Sequence, residues 1–232
     1  MAIPNRFQHD TSLIEPMRGN DWSPALFFDG ADDYILAPNA TDLNFTTNLT
    51  VEIAFAAIST PTDGYFITHG GWNRRWAVGI TFNDLIRFSL KNGSGTVVHL
   101  YGPALTMRRW YRVAAVYDGS NMMIYLNGEP VASAAQTGSI GTTTYDVAFG
   151  RERPDTAEYL HGLLQEARIW NVALPAQTIK GLMRQRLMGT EPGLVRYWRC
   201  NEGNGGSIAN LTGSGGAGTL FGPLWRWRDG WL

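Results

Sequence analysis

Two stretches of the 232-residue sequence carry side chains that could do chemistry. The first, Gly162-Leu-Leu-Gln-Glu-Ala-Arg-Ile-Trp170, alternates as a strand does and sets Glu166 two residues from Arg168. Residues two apart share one face of a strand, so this carboxylate and guanidinium can pair, which a covered charge requires. The competing chemistry is metal binding. Asp29-Gly30 ends an earlier apolar run, and a carboxylate with turn carbonyls is the hard-oxygen set that calcium takes, so Asp29, Gly30 and Glu166 are candidate ligands of a structural calcium ion. The second stretch, His69-Gly-Gly-Trp-Asn-Arg-Arg-Trp76, places two Trp and two Arg in a Gly-flanked loop. Such a set can stack on a sugar ring or anchor a protein partner, which makes Trp72, Arg74, Arg75 and Trp76 candidate ligand-binding residues. The structural alternative has Trp76 opening a strand as a core residue and Trp72 capping a sheet.

Other chemistries find little support. Retaining glycoside hydrolysis needs two carboxylates about 5 Å apart on one strand face, and the Gly162–Trp170 strand offers Glu166 alone. Asp32-Asp33 and Glu152 with Asp155 sit in turn-like text. The single Cys200 excludes an internal disulfide, and the four His, at 9, 69, 99 and 161, have no zinc-ligand spacing. Cys200 reads as a small buried hydrophobe. A net charge of −1 argues against nucleic acid or an anionic membrane as partner. Neither a secretory h-region nor an apolar run long enough to span a bilayer is visible, so the expectation is a soluble protein without membrane insertion. Its compartment is left open between an extracellular place and an exported or particle-associated assembly.

The elements that must position these residues are mostly strands. Residues 1–23 lack periodicity and read as an extended arm; residues 24–232 read as one domain. Leu26–Phe28 and Tyr34–Leu36 flank Asp29–Asp33 as a hairpin signal. Alternation continues through Thr50–Ile58, Tyr65–Ile67, Trp76–Ile80 and Ile86–Leu90. Trp110–Tyr117, Met122–Leu126 and Pro130–Ser133, separated by Asp118-Gly119 and Asn127-Gly128, form a meander. Asp146–Gly150, the Glu166 strand and Leu194–Cys200 follow. Between the last two, Pro175 and the spacing of Ile179, Leu182, Met183, Arg186 and Leu187 predict one short helix near 175–187. The tail reads as a half-buried final strand carrying Trp225 and Trp227, or as an exposed docking segment. About a dozen short strands with one helix predict an all-β, two-sheet antiparallel sandwich.

Five blocks carry a family resemblance: Ala25–Tyr34, Trp110–Gly119, Ile124–Gly128, Gly162–Trp170 and Leu194–Trp198. In this order they resemble the laminin-G-like domains of the concanavalin A-like jelly-roll superfamily. The resemblance implies an antiparallel jelly-roll β-sandwich used for binding or adhesion. Gln165 stands where relatives often carry Asp, which removes one negative charge from the implied metal region. The function expected is a non-catalytic glycan-binding module. Its alternatives are a structural or accessory part of a larger assembly or homo-oligomer, docking a protein surface through the N-terminal arm and the aromatic C-terminus, and, more remotely, a glycoside hydrolase.

Overall fold

A computed structural model of the chain describes residues 24–152, 158–183 and 185–227; the expected arm at 1–23 and the last five residues lie outside them. The described strands are β1 (Pro24–Asp29), β2 (Tyr34–Ala37), β3 (Leu49–Ser59), β4 (Gly64–His69), β5 (Trp76–Ile80), β6 (Leu85–Lys91), β7 (Val97–Ala104), β8 (Tyr111–Tyr117), β9 (Asn121–Leu126), β10 (Glu129–Ala135), β11 (Val147–Phe149), β12 (His161–Trp170), β13 (Leu194–Trp198), β14 (Ser207–Ile208), β15 (Gly218–Phe221) and β16 (Leu224–Trp227), with one helix, α1 (Ala176–Leu182). They make two antiparallel sheets packed as a sandwich, as a jelly roll requires. The first runs β10-β9-β8-β3-β12-β1-β16, with β13 also on β12; the second runs β14-β15-β2-β11-β4-β5-β6-β7.

The core lies between the inner faces, and alternation supplies it. Val51, Ile53 and Phe55 of β3 and Val113, Ala115 and Tyr117 of β8 meet Phe66, Trp76, Val78, Phe88 and Leu90 of the second sheet, all buried. The Phe55 and Phe66 rings stack across the layers, 3.8 Å between centroids. Each such aromatic contributes about 1.5–3 kcal/mol by leaving water. Cys200 is buried in the same core, where desolvation raises its thiol pKa.

Three expectations change. The hairpin of β1 and β2 is absent, because β1 pairs β12 and β16 in the first sheet while β2 pairs β11 and β15 in the second. The turn at Asp29–Asp33 is therefore a corner between layers. Gly30, at φ +81, makes that corner; a Cβ there would meet His161 Cβ at 2.8 Å.

The second change is in β12. Strict alternation puts Leu164, Glu166, Arg168 and Trp170 on one face, yet Leu164, Ala167 and Ile169 point into the main core while Leu163, Arg168 and Trp170 point outward. The register slips at Gln165/Ala167, and Glu166, at φ +51, is the extra residue. One inserted residue exchanges the two faces beyond it. The bulge also marks where β12 changes neighbour, from β1 over His161–Leu164 to β13 over Ala167–Trp170.

Finally, α1 is shorter than 175–187. Leu182 and Gln185 turn their carbonyls to the Arg168 guanidinium (3.1 and 2.7 Å), and Leu187 turns its own to Arg199 (3.1 Å). Acceptors directed at arginines are not extending a helix. Ile179 of α1 and Leu187 beyond it complete a small apolar layer with Val116, Tyr125, Trp170 and Tyr197 on the outside of the first sheet.

Candidate ligand-binding site

The loop between β4 and β5 distributes its four predicted residues unequally. Gly70 and Gly71, at φ +77 and +80, reverse the chain before Trp72. Trp76 opens β5 facing inward and is wholly buried, so it is a core residue and cannot touch a ligand. Arg75 is also wholly buried and is a strut rather than a surface contact. Its guanidinium donates to His69 Nδ1 (2.6 Å), to the Gly141 carbonyl (2.9 Å) and to the Phe45 carbonyl (2.7 Å). Burial draws the Arg75 pKa down to about 9. His69 accepts at Nδ1, so its Nε2–H is left to donate to Asn39 Oδ1 (3.0 Å); the ring is the neutral tautomer. Desolvation, then the Arg75 charge, hold its pKa well below 6.5.

Trp72 and Arg74 face outward instead. Arg74 borders an open groove of about 520 Å³ whose other walls are Asn44, Lys91, Thr142, Thr143, Thr144 and Tyr145. The volume suits a small ligand. Four separate segments meet here, and backbone hydrogen bonds fix them. Lys91 N donates to Arg75 O (2.7 Å) and Gly141 N to Lys91 O (2.9 Å), which docks the 141–145 segment against the end of β6. Asn44 grips the same segment at both sides of Thr143: Nδ2 donates to the Thr143 carbonyl (2.9 Å) and Oδ1 accepts from its amide (2.9 Å). Asn39 Nδ2 reaches the Thr143 carbonyl too (3.3 Å). Thr142 and Thr144 remain exposed, and the Arg74 guanidinium lies 5.0 Å from the Tyr145 ring centre.

Lys91, which lines the groove, is the last residue of β6, whose outer face pairs with that of β7. Phe88 and Leu90 point into the core, so Arg87, Ser89 and Lys91 point out, with His99 opposite Ser89 and Tyr101 opposite Arg87. Ser89 Oγ bonds His99 Nδ1 (2.8 Å). The Trp72 and His99 rings lie 5.4 Å apart and the His99 and Tyr101 rings 6.2 Å, a short aromatic row ending at Tyr101, which is 47% exposed. Arg87 is neutralised by Asp63 (2.5 Å) and bonded to the Tyr65 hydroxyl (2.5 Å). Thr68, Ala77 and Ser89, in the middle of this face, are buried, so its accessible parts are the margins.

The predicted metal set is not brought together. Asp29 sits opposite His161 in the β1–β12 ladder, whereas Glu166 is five residues further along β12, roughly 16 Å at 3.3 Å per residue. Glu166 is also fully engaged. It pairs with Arg112 and with Arg168 (2.6 Å) and accepts from the Tyr197 hydroxyl (2.8 Å). Burial alone would raise its pKa; the two guanidiniums outweigh this and hold it at about 2. Arg168 spans to Glu52 as well (3.3 Å), and Trp170 Nε1 donates to the same Glu52 oxygen (3.0 Å). The expected partnership of Glu166 with Arg168 is present, and both Glu166 oxygens are engaged by side chains of the protein.

Carboxylates do converge at the corner itself. Oxygens of Asp29, Asp32 and Asp33 lie within 4.8 Å of one another. Asp33 Oδ2 accepts the Asp29 amide (2.9 Å) and Asp29 Oδ1 the Ala31 amide (2.8 Å). Burial, with the neighbouring Asp29 and Asp32 charges, raises the Asp33 pKa against the pull of the Asp29 amide. Three carboxylates are the donor type calcium takes, so Asp29, Asp32 and Asp33 fit the ion better than the set with Glu166.

Sequence reading missed β7, Lys91, Asn44 and the 142–145 segment. The strand had a signal: Val97–Tyr101 follows the Asn92-Gly93 turn with residues of high β preference. The groove had none, since its walls are far apart in sequence.

A family model for the concanavalin A-like lectin/glucanases superfamily, Laminin_G_3, matches residues 29–180. No curated protein matches the sequence at a significant level. Among solved structures, one from Bacteroides ovatus, provisionally termed a carbohydrate binding protein, superposes with a TM-score of 0.74 at 21% identity over 90% of this chain and 61% of that one. The chain thus spans about three fifths of that relative's length. A sialidase CBM40 of Ruminococcus gnavus bound to α2,3 sialyllactose gives 0.58 at 19%, over 69% and 96%. A heptameric SAP-like pentraxin of Limulus polyphemus gives 0.56 at 16%, over 71% and 83%. At these identities the likeness is one of fold.

Proposed function

Because the chain belongs to the concanavalin A-like lectin/glucanase superfamily, we propose that it is a non-catalytic carbohydrate-binding module that holds its ligand at the groove beside Tyr145. The observation that carries this reading is the groove's lining: an amide, three threonines, two cations and one aromatic ring around about 520 Å³. A sugar offers hydroxyls to donors and acceptors and a C–H face to a ring, and this lining can meet both. The Trp72–His99–Tyr101 row lengthens the surface along β7 for a further residue of an oligosaccharide. Binding is also what the names of two similar structures describe.

The non-catalytic reading is supported by where the described acids lie. Glycosidases place two carboxyl groups about 5 Å apart for retention or roughly 6.5–9.5 Å for inversion, across the scissile bond. Among the described residues the groove is lined by no carboxylate, and Glu166, the acid singled out on β12, is spent on two arginines. The test is a glycan array on the purified chain, followed by titration calorimetry on the strongest binder. Tyr145→Ala should weaken that binder by more than about 1 kcal/mol, as removing an aromatic contact does. A blank array, or unaltered affinity in Tyr145→Ala together with Thr142→Ala, would remove the reading.

A further inference from the structure

We infer that His99 is a ligand contact in an outer subsite, which with Trp72 and Tyr101 holds a second residue of an oligosaccharide and which acid switches off, a conclusion that rests on the carbohydrate-binding role proposed above. Two segments build the surface. Trp72 comes from the β4–β5 loop that also brings Arg74 to the groove, while His99 and Tyr101 stand two residues apart on the outer face of β7. From Trp72 to His99 the ring centres are 5.4 Å apart, and from His99 to Tyr101 6.2 Å. Tyr101 is largely exposed and Trp72 and His99 are half-buried, so solvent reaches all three rings. The row lies one step from the groove. Lys91, in the groove lining, is two residues from Ser89, about 7 Å along the same face of β6, and Ser89 pairs with His99 across the sheet.

Hydrogen bonding decides what His99 offers a ligand. Ser89 is wholly buried, and its Oγ lies 2.8 Å from His99 Nδ1. A buried hydroxyl must place its proton, so Ser89 donates to Nδ1 and the neutral ring carries its own proton on Nε2. Neutral His99 thus sets an N–H donor between two aromatic faces, a combination that meets a hydroxyl and the C–H face of one sugar residue. Protonation of Nδ1 would turn a second donor onto the Ser89 hydroxyl and put a charge into the row. The charged and titratable groups around it are Arg87 and Lys91 on β6, Arg74 in the loop, Tyr101 beside it, Tyr65, bonded to Arg87, and Asp63, which pairs with Arg87 (2.5 Å). Burial, then the Arg87 charge, hold the imidazole below its ordinary pKa against the pull of Asp63. A sugar laid over the ring takes more water from it and makes the charged form costlier still. Binding at the outer subsite therefore favours the neutral ring, is complete above pH 6.5 and weakens as pH falls below it.

Titration calorimetry on the full chain would use ladders of defined length, the cello-, malto-, xylo- and N-acetylchito-oligosaccharides from disaccharide to hexasaccharide. Each would be titrated at about pH 7.5 and about pH 4.5, with the fold followed by circular dichroism. In at least one ladder affinity should rise about tenfold or more from the disaccharide to longer members. Tyr101→Ala should remove that rise and leave the disaccharide as it was, whereas Tyr145→Ala should weaken every length. At the lower pH the rise should shrink about threefold or more. His99→Gln keeps a donor and cannot titrate, so it should retain a rise with length that no longer depends on pH; His99→Ala should lose the rise at both pH values. Affinity that does not grow beyond the disaccharide, with Tyr145→Ala still weakening it, would overturn the inference and leave the binding role standing. A rise that survives both Tyr101→Ala and His99→Ala, or that stays pH-dependent in His99→Gln, would also overturn it, by placing the second sugar or the titrating group elsewhere. No binding by any ladder would overturn the inference together with the role on which it rests.

Discussion

The outer faces of the two sheets treat charge in opposite ways. Outside the first sheet, beside the layer built on α1, Glu52, Arg168, Glu166 and Arg112 form a chain of alternating sign with Tyr197 and Trp170 donating into it. Outside the second, Arg74 and Lys91 border an open groove whose described lining residues include no carboxylate. The first arrangement consumes its charges within the protein. The second sets polar side chains around a hollow that opens to solvent. A carboxylate on a covered strand, Glu166, was a functional candidate in the sequence, yet its partial burial is what demanded partners and removed it from chemistry.

The largest effect that could break this contrast is at Arg168. Arg168→Met leaves Glu52 and Glu166 without their shared cation, and breaking a buried pair from one side costs about 3–5 kcal/mol. A thermal melt should show a drop on the order of 10 °C. A melt within a degree or two of the parent would mean that the network is not structural.

Acid should undo the same network with a defined sign. Glu166 titrates at about 2 in the folded chain against 4.5 ordinarily, so its contribution is complete above pH 4.5 and disappears as pH falls toward 2. The shift corresponds to something on the order of 3 kcal/mol. His69 acts in a higher window. Its folded pKa lies below 6.5, so the unfolded chain takes up a proton first and stability declines as pH drops below 6.5. Denaturant titrations from pH 7 to 3 should show two successive losses. Glu166→Gln should remove the lower one, and its persistence there would assign it to other acids.

Arg75 sharpens the comparison from the other face, since it is buried, charged and bonded to two carbonyls and a neutral imidazole. Arg75→Met should cost about 2 kcal/mol through the acceptors left unsatisfied, and it should weaken glycan binding because the 141–145 segment loses an anchor. Stability that falls while affinity holds would separate the strut from the groove. The smallest expected effect is calcium at Asp29, Asp32 and Asp33. Calcium at about five times its Kd adds roughly 1 kcal/mol to an otherwise unchanged fold. Melts with calcium and with chelator that coincide, in the parent and in Asp32→Asn alike, would leave the cluster as a turn.

Local pattern was enough for much of the fold. The meander from Tyr111 to Ala135 follows from alternation and two turn dipeptides, and both its pairings are as expected. The start of α1 follows from Pro175. What escaped had causes that are not local. The β1–β2 corner carries the residues of a hairpin, yet its strands find partners more than 100 residues away. The bulge at Glu166 depends on β12 changing neighbour, which no periodicity within the strand records. The Trp/Arg loop was legible only in half: alternation sends Trp76 inward and leaves Trp72 and Arg74 at the surface, while Asn44, Lys91 and Tyr145 join them only once the sheets have packed.

The way the 141–145 segment is held has a bearing on how binding can diversify. Arg75 fixes its start at Gly141, Asn44 and Asn39 grip the backbone of Thr143, and Asp146 is tied back to the Asn39 amide. Thr142 and Thr144 stand between these clamps with their side chains exposed. Selection can therefore rewrite what the groove recognises two letters at a time, on a frame whose geometry is underwritten by residues it does not need to change.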